Sequence, residues 1–102
     1  MADYFLIIRR DAPGSVECRK ATMAAHLKFS EDNAHRFLVG GALRTDPDGP
    51  AEGSAMIIKA DNLEDARAFA DQDPFESAGV YADTEIKVFR AGIGEWIGGK
   101  VW

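Results

Sequence analysis

Of the two histidines in this 102-residue chain, His26 is the one placed where an acid–base group could be held. An imidazole titrates near pH 6.5 in reference peptides, so it can take or give a proton around neutrality. On a helix its neighbours are Thr22, Met23, Phe29 and Ser30, at the border of an apolar stripe. The plain alternative is a half-buried histidine with a backbone or hydroxyl partner. His35, beside Arg36 at a polar helix end, reads as a cap or surface residue. It follows His26 by nine positions, which puts the two on different helix faces, so no metal site is expected. Cys18 is the one cysteine and cannot close an internal disulfide; it reads as a small helix side chain rather than a nucleophile. Far downstream, Asp73-Pro74-Phe75 stands apart from the scaffold around it.

The elements that must position these residues follow in order. Tyr4 to Arg9 is a run of aromatic and branched residues, apolar on both faces, and reads as a central strand. Pro13-Gly14 ends it in a turn. Ser15 is then expected to cap a helix through its hydroxyl, with Glu17 near the positive end of the dipole. Val16, Met23, Leu27 and Ala34 supply a loose apolar stripe, and the helix is expected to end near His35. Phe37 to Arg44 is a second strand in which Gly40-Gly41 suggests a bulge or a close approach by backbone or ligand. Thr45 to Pro50 is an exposed connector, and Gly53 to Ala60 returns as a third strand. Asp61 or Asn62 caps a short helix over Leu63 to Ala70 with Leu63, Ala66, Phe69 and Ala70 on one face. Pro74 disfavours helical geometry at Asp73 and ends that helix; Glu76 to Gly79 reads as a turn. Val80 to Arg90 is the last strand, followed by a glycine-rich tail holding Trp96 and Trp102.

Strand, helix, strand, strand, helix, strand is the ferredoxin-like βαββαβ order, an α+β fold. Right-handed crossovers place both helices on one face of a four-stranded antiparallel sheet. The opposite face is left bare and partly apolar, so a homodimer is expected, with Trp96 and Trp102 as candidates for its interface. The length fits one domain over residues 1–102. A formal net charge of -5, with no cluster of basic and aromatic residues, argues against nucleic acid and anionic membranes as partners. The start MADYFLIIRRD does not read as a signal peptide, no apolar run is long enough to span a bilayer, and a cytoplasmic protein is expected.

Several short features, in order, resemble the YCII-related family of small dimeric proteins. These are YFLIIRRDAP, the helix carrying Arg19 and His26-Leu27, the Gly41 to Leu43 hairpin start, Gly53-Ser54, and Asp73-Pro74-Phe75 with Gly79 behind it. The resemblance covers nearly the whole chain. It implies a dimer of the α/β-barrel kind and an active-site pair in which the histidine matches His26 and the acid matches Asp73. One branch of the family resembles a dehydrochlorinase of a chlorinated hydroxyhydroquinone, and others are similar in fold to muconolactone isomerase.

An aspartate on one ring nitrogen would fix the histidine tautomer and stabilise the charged ring, and the two helices are expected side by side. The expected separation of Asp73 from a His26 ring nitrogen is about 2.7–3.2 Å. Candidate substrate-binding residues are Arg9 or Arg10 for a carboxylate or enolate, Ser54 and Tyr81 as hydrogen-bonding groups, and Phe75 as an apolar wall. The expected function is a small cofactor-independent enzyme of lyase or isomerase type. It would abstract a proton from a small, hydroxylated cyclic substrate, with His26 as base and Asp73 as its partner. Two other readings use the same residues: a non-enzymatic metabolite-binding or accessory dimer, and a partner-binding protein in which the pair is a buried hydrogen bond.

Overall fold

The structure, a computed structural model, describes residues 4–101. Four strands, β1 (Tyr4–Asp11), β2 (Phe37–Leu43), β3 (Gly53–Lys59) and β4 (Tyr81–Phe89), pair antiparallel in the order β2-β3-β1-β4. Helix α1 (Val16–Asp32) links β1 to β2, while α2 (Leu63–Asp71) and the single-turn α3 (Pro74–Ser77) link β3 to β4. The two main helices lie on one face of the sheet, as the βαββαβ order implies. The run from Tyr4 is interior to the sheet, as its two apolar faces led us to expect.

The core is built from strand alternation against one amphipathic helix. Phe5 and Ile7 of β1 sit opposite Ile58 and Met56 of β3 and point the same way. Ala66, Phe69 and Ala70 of α2 close over them, and these seven residues form the buried cluster. Asn62 caps α2 by accepting from the Asp65 N–H at 2.8 Å. One glycine is dictated by close approach: a Cβ on Gly53 would lie 2.2 Å from the Arg9 carbonyl oxygen.

Three expectations need correction. The α/β-barrel expectation is overturned because the sheet is open. Its edge strands β2 and β4 are separated by β3 and β1, and four strands are too few to curl closed where small barrels use about eight. Ser15 precedes α1 but its side chain makes no capping bond. The segment after Pro74, expected as a turn, winds into α3 because Asp73 caps it and proline suits a first helical position. The glycine-rich tail, to which no element was assigned, folds back as a small hairpin of β5 (Ile93–Gly94) and β6 (Gly99–Lys100) around a 3-10 turn carrying the exposed Trp96. Trp102 lies outside the described residues.

Helix α1 packs differently from α2. Its apolar Val16 and Leu27 are exposed, and its one buried residue is Arg19. The stripe turned toward the sheet reads Ser15, Arg19, Met23, His26 and Ser30, a helical spacing in mostly polar side chains, with Phe29 beside it packed against the core. No helix among the described residues is long and apolar enough to cross a membrane.

Candidate active site

Asp73 owes its position to Pro74. The proline holds Asp73 in an extended conformation, φ -63 and ψ 126, at the mouth of α3. Its Oδ1 accepts the Phe75 N–H at 2.9 Å and also meets Nδ1 of His26 at 2.8 Å. That distance falls within the expected range. A carboxylate oxygen is an acceptor, so Nδ1 carries a proton, and in the neutral ring the lone pair is on Nε2. Asp73 is almost fully buried and the histidine side chain is 18% exposed, so the pair is dry on the acid side and open on the base side. Beneath the imidazole lies Phe75, stacked at 3.9 Å between centroids with planes 9° apart. Helix α1, the cap of α3 and Phe75 therefore fix the ring from three directions.

Two buried arginines flank the pair. Arg9, 1% exposed, donates from Nη1 to the Ala70 carbonyl at 2.7 Å and pairs through Nη2 with Glu76. Its guanidinium lies 4.3 Å from the Tyr81 ring centre. Its Nε is buried with no partner among the described residues. Arg19 donates to both oxygens of Asp11, to the Gly53 carbonyl and to the Ser54 hydroxyl, and lies 4.8 Å from the Phe75 ring centre. An unpaired buried cation would be strongly destabilising, and in both cases an acid answers it. Arg10, the other arginine considered, points away: strand alternation turns it outward, where it makes a long 3.5 Å contact with Asp83.

Ser54 and Tyr81 are joined by a 3.0 Å hydroxyl–hydroxyl bond. A register shift against β1 skips one residue of β4, which turns Tyr81 inward beside Arg9 and Phe75. Burial raises the Tyr81 pKa, with the Asp73 charge adding to it; the Ser54 bond and the two arginines oppose that rise. The phenol is thus held as a neutral hydroxyl.

A cavity of about 510 Å³ opens beside these groups, between α1 and the β2-β3 hairpin. Arg9, Arg19, His26, Ser54 and Asp73 line it, as do Gly40 and Gly41 of β2. Phe75 and Tyr81 do not: Phe75 is fully buried under the histidine, and Tyr81 reaches the cavity only through Ser54. The sequence reading missed Arg19 as a site residue, along with its partner Asp11 and the Arg9 partner Glu76. The available signal for Arg19 was its spacing of seven residues, two helical turns, before His26 on the same face.

Comparison with known proteins agrees with the fold and places the chain in a family. The YCII-related domain model matches residues 4–90. An uncharacterized protein of Haemophilus influenzae is 36% identical over 94 residues, covering 85% of this chain and 96% of that one. The 5-chloro-2-hydroxyhydroquinone dehydrochlorinase of Burkholderia phenoliruptrix, solved with 2,5-dihydroxybenzoquinone, superposes with a TM-score of 0.78 at 33% identity, covering 90% of this chain and 96% of that one. A dimeric ferredoxin-like protein of unknown function from Thermobifida fusca shares the fold alone, with a TM-score of 0.51 at 15% identity, covering 88% of this chain and 92% of that one.

Proposed function

The chain belongs to the YCII-related family, and from that premise we propose that it is a cofactor-independent enzyme of proton abstraction, eliminating or isomerising a small hydroxylated cyclic substrate. The observation that carries this reading is the 2.8 Å bond from His26 Nδ1 to Asp73, which leaves Nε2 as a positioned base beside a cavity. Nε2 takes a proton from a carbon or hydroxyl next to a carbonyl. The electron pair of the broken bond moves into the ring. In an elimination it expels a leaving group, which departs with its bonding pair, and the imidazolium then gives its proton to water. In an isomerisation the imidazolium returns the proton to another carbon. Asp73 stabilises the imidazolium between these steps. Ser54, Arg19 and Arg9 line the same cavity, and their hydroxyl and guanidinium groups would stabilise the oxygen on which negative charge develops.

The test is His26→Gln. Glutamine keeps a donor and an acceptor at similar reach but cannot titrate near neutrality. Loss of a positioned base is expected to lower the rate about 10²- to 10⁴-fold, with the fold retained. Hydroxylated aromatics, enol-lactones and their halogenated relatives are the compounds to screen. A limb near the histidine range in the pH–rate profile should vanish in the variant. Activity within a few fold of wild type, alongside a sharp loss of thermal stability, would make His26 structural and leave the pocket as a metabolite-binding site.

The working form is a homodimer. The sheet face away from the helices carries Leu6, Ile8 and Ile57 half-buried and Leu43 exposed, with no helix over it. A second copy covers such a face at low cost in new structure. Light scattering over a range of concentrations should give the mass of two chains; a single-chain mass throughout overturns this.

A further inference from the structure

The cavity holds more than a single ring. A space of roughly 150 Å³ accommodates benzene, and this one measures about 510 Å³. The sheet register shows how it is divided. Ala42, Gly40 and Phe37 of β2 lie opposite Ser54, Met56 and Ile58 of β3, a run of roughly 13 Å at the usual strand rise. At the Ser54 end stand the polar groups, Arg9 and Arg19. The Phe37 end is mostly apolar: Phe37, Phe69 and Phe29 form an aromatic trio with centroids 5.4 and 5.5 Å apart, next to Met56, and Ser30 and Glu31 follow Phe29 on the helix wall. Gly40 forms part of the floor between them, where a Cβ would just meet Met56 and Phe37 at 3.4 Å. At the polar end, the buried Arg9 Nε–H has no acceptor among the described residues.

We propose that the Phe29–Phe37–Phe69 end of the cavity is a second subsite, and that the substrates are hydroxylated rings bearing an apolar side arm of several carbons. This rests on the reading of the site as one for ring substrates. The ring oxygen satisfies the polar end near Arg9 and Ser54, which leaves the ring beside His26. The arm runs over Gly40 into the aromatic trio. A ring without an arm would leave that apolar surface wet, and filling it supplies binding that the polar end cannot. Gly40 then has a reason beyond backbone flexibility: any larger side chain there narrows the passage.

Calorimetric titration with resorcinol and its ethyl, butyl and hexyl ring derivatives tests this without requiring turnover. Complete burial is worth about fourfold in affinity per methylene, and a rise of about two- to fourfold per methylene is expected here. Gly40→Val on the floor should flatten the series. Ser30→Leu, from the helix wall, should do the same and serves if the strand variant folds poorly. Equal affinity along the series, or no binding by any member, overturns the subsite. So does a chain-length gain that persists in both variants, since the arm would then lie elsewhere. None of these outcomes depends on His26 acting as a base. A flat series with an intact His26 rate effect refutes only the subsite, and a steep series with an inert His26 refutes only the enzyme reading.

Discussion

Two helices lie on the same face of the same sheet, and they do opposite things with their inward sides. Helix α2 turns Ala66, Phe69 and Ala70 down onto Phe5, Ile7 and Ile58 and completes the core. Helix α1 turns Arg19, Met23, His26 and Ser30 inward and leaves Val16 and Leu27 in solvent, 46% and 56% exposed. A polar stripe can face a sheet only if its groups are answered there. Asp11, Ser54 and Asp73 do so, each from a different strand or loop. Below α2 the space is filled; beside α1 it is a cavity. The lesson is that α2 supplies the buried core, whereas α1 adds only Phe29 against it and is otherwise a wall of the site.

The largest expected effect separates the two helices on stability. Phe69→Ala removes a ring that touches Phe29 and Phe37 and should cost about 3–5 kcal/mol. Leu27→Ala, an apolar truncation on the other helix, should stay within about 0.5 kcal/mol because the side chain is already wet. Urea unfolding measures both. Comparable losses in the two variants would mean that α1 carries core as well, and the contrast would fail.

The next effect separates structure from chemistry at one residue. Asp73 both caps α3 and orients His26. Asparagine is as good a cap, so Asp73→Asn should change stability by less than about 1 kcal/mol. It removes the charge that stabilises the imidazolium and should lower the rate about 10²- to 10⁴-fold. Thermal unfolding beside steady-state kinetics gives the split. A large stability loss with a proportionate fall in active protein would make Asp73 a cap and nothing more.

These contrasts explain what was legible in the chain beforehand. The strand order, the inward face of α2 and the break at Pro74 follow from periodicity and backbone chemistry that each segment carries alone. The resemblance to family members paired His26 with Asp73, and the extended backbone at Asp73 is what delivers the contact. The inward face of α1 was not legible. Val16, Met23 and Leu27 look like its apolar stripe, yet the helix is turned toward Ser15, Arg19 and His26. That orientation is decided by Asp11, Ser54 and Asp73, which are distant in sequence and appear only once the sheet has folded. The same reason hid Glu76: a surface-type residue in a segment expected as a turn becomes the partner of a buried arginine. Tyr81 faces inward only because a bulge shifts its register, and bulges leave little trace in a short strand.

The smallest effect concerns that tyrosine and sharpens the contrast from the polar side. Desolvation raises the Tyr81 pKa above the ordinary tyrosine value of about 10, with the Asp73 charge adding and the Ser54 bond and the two arginines opposing. In the unfolded chain the phenol ionises near its ordinary value, so between that value and the folded one the unfolded state releases a proton that the folded state keeps. The folded state then binds more protons, and stability falls as pH rises through this window. Below about pH 10 both states hold the proton and no slope arises from this group. Tyr81→Phe removes the titrating hydroxyl while keeping the ring that packs on Phe75 and under Arg9. Denaturant unfolding from pH 9 upward should therefore show a shallower alkaline decline in the variant than in wild type. Absorbance near the tyrosinate band should lose its late-titrating component. Identical alkaline slopes in the two proteins would mean that Tyr81 ionises freely, and the polar network under α1 would then be open to water rather than sealed by the sheet.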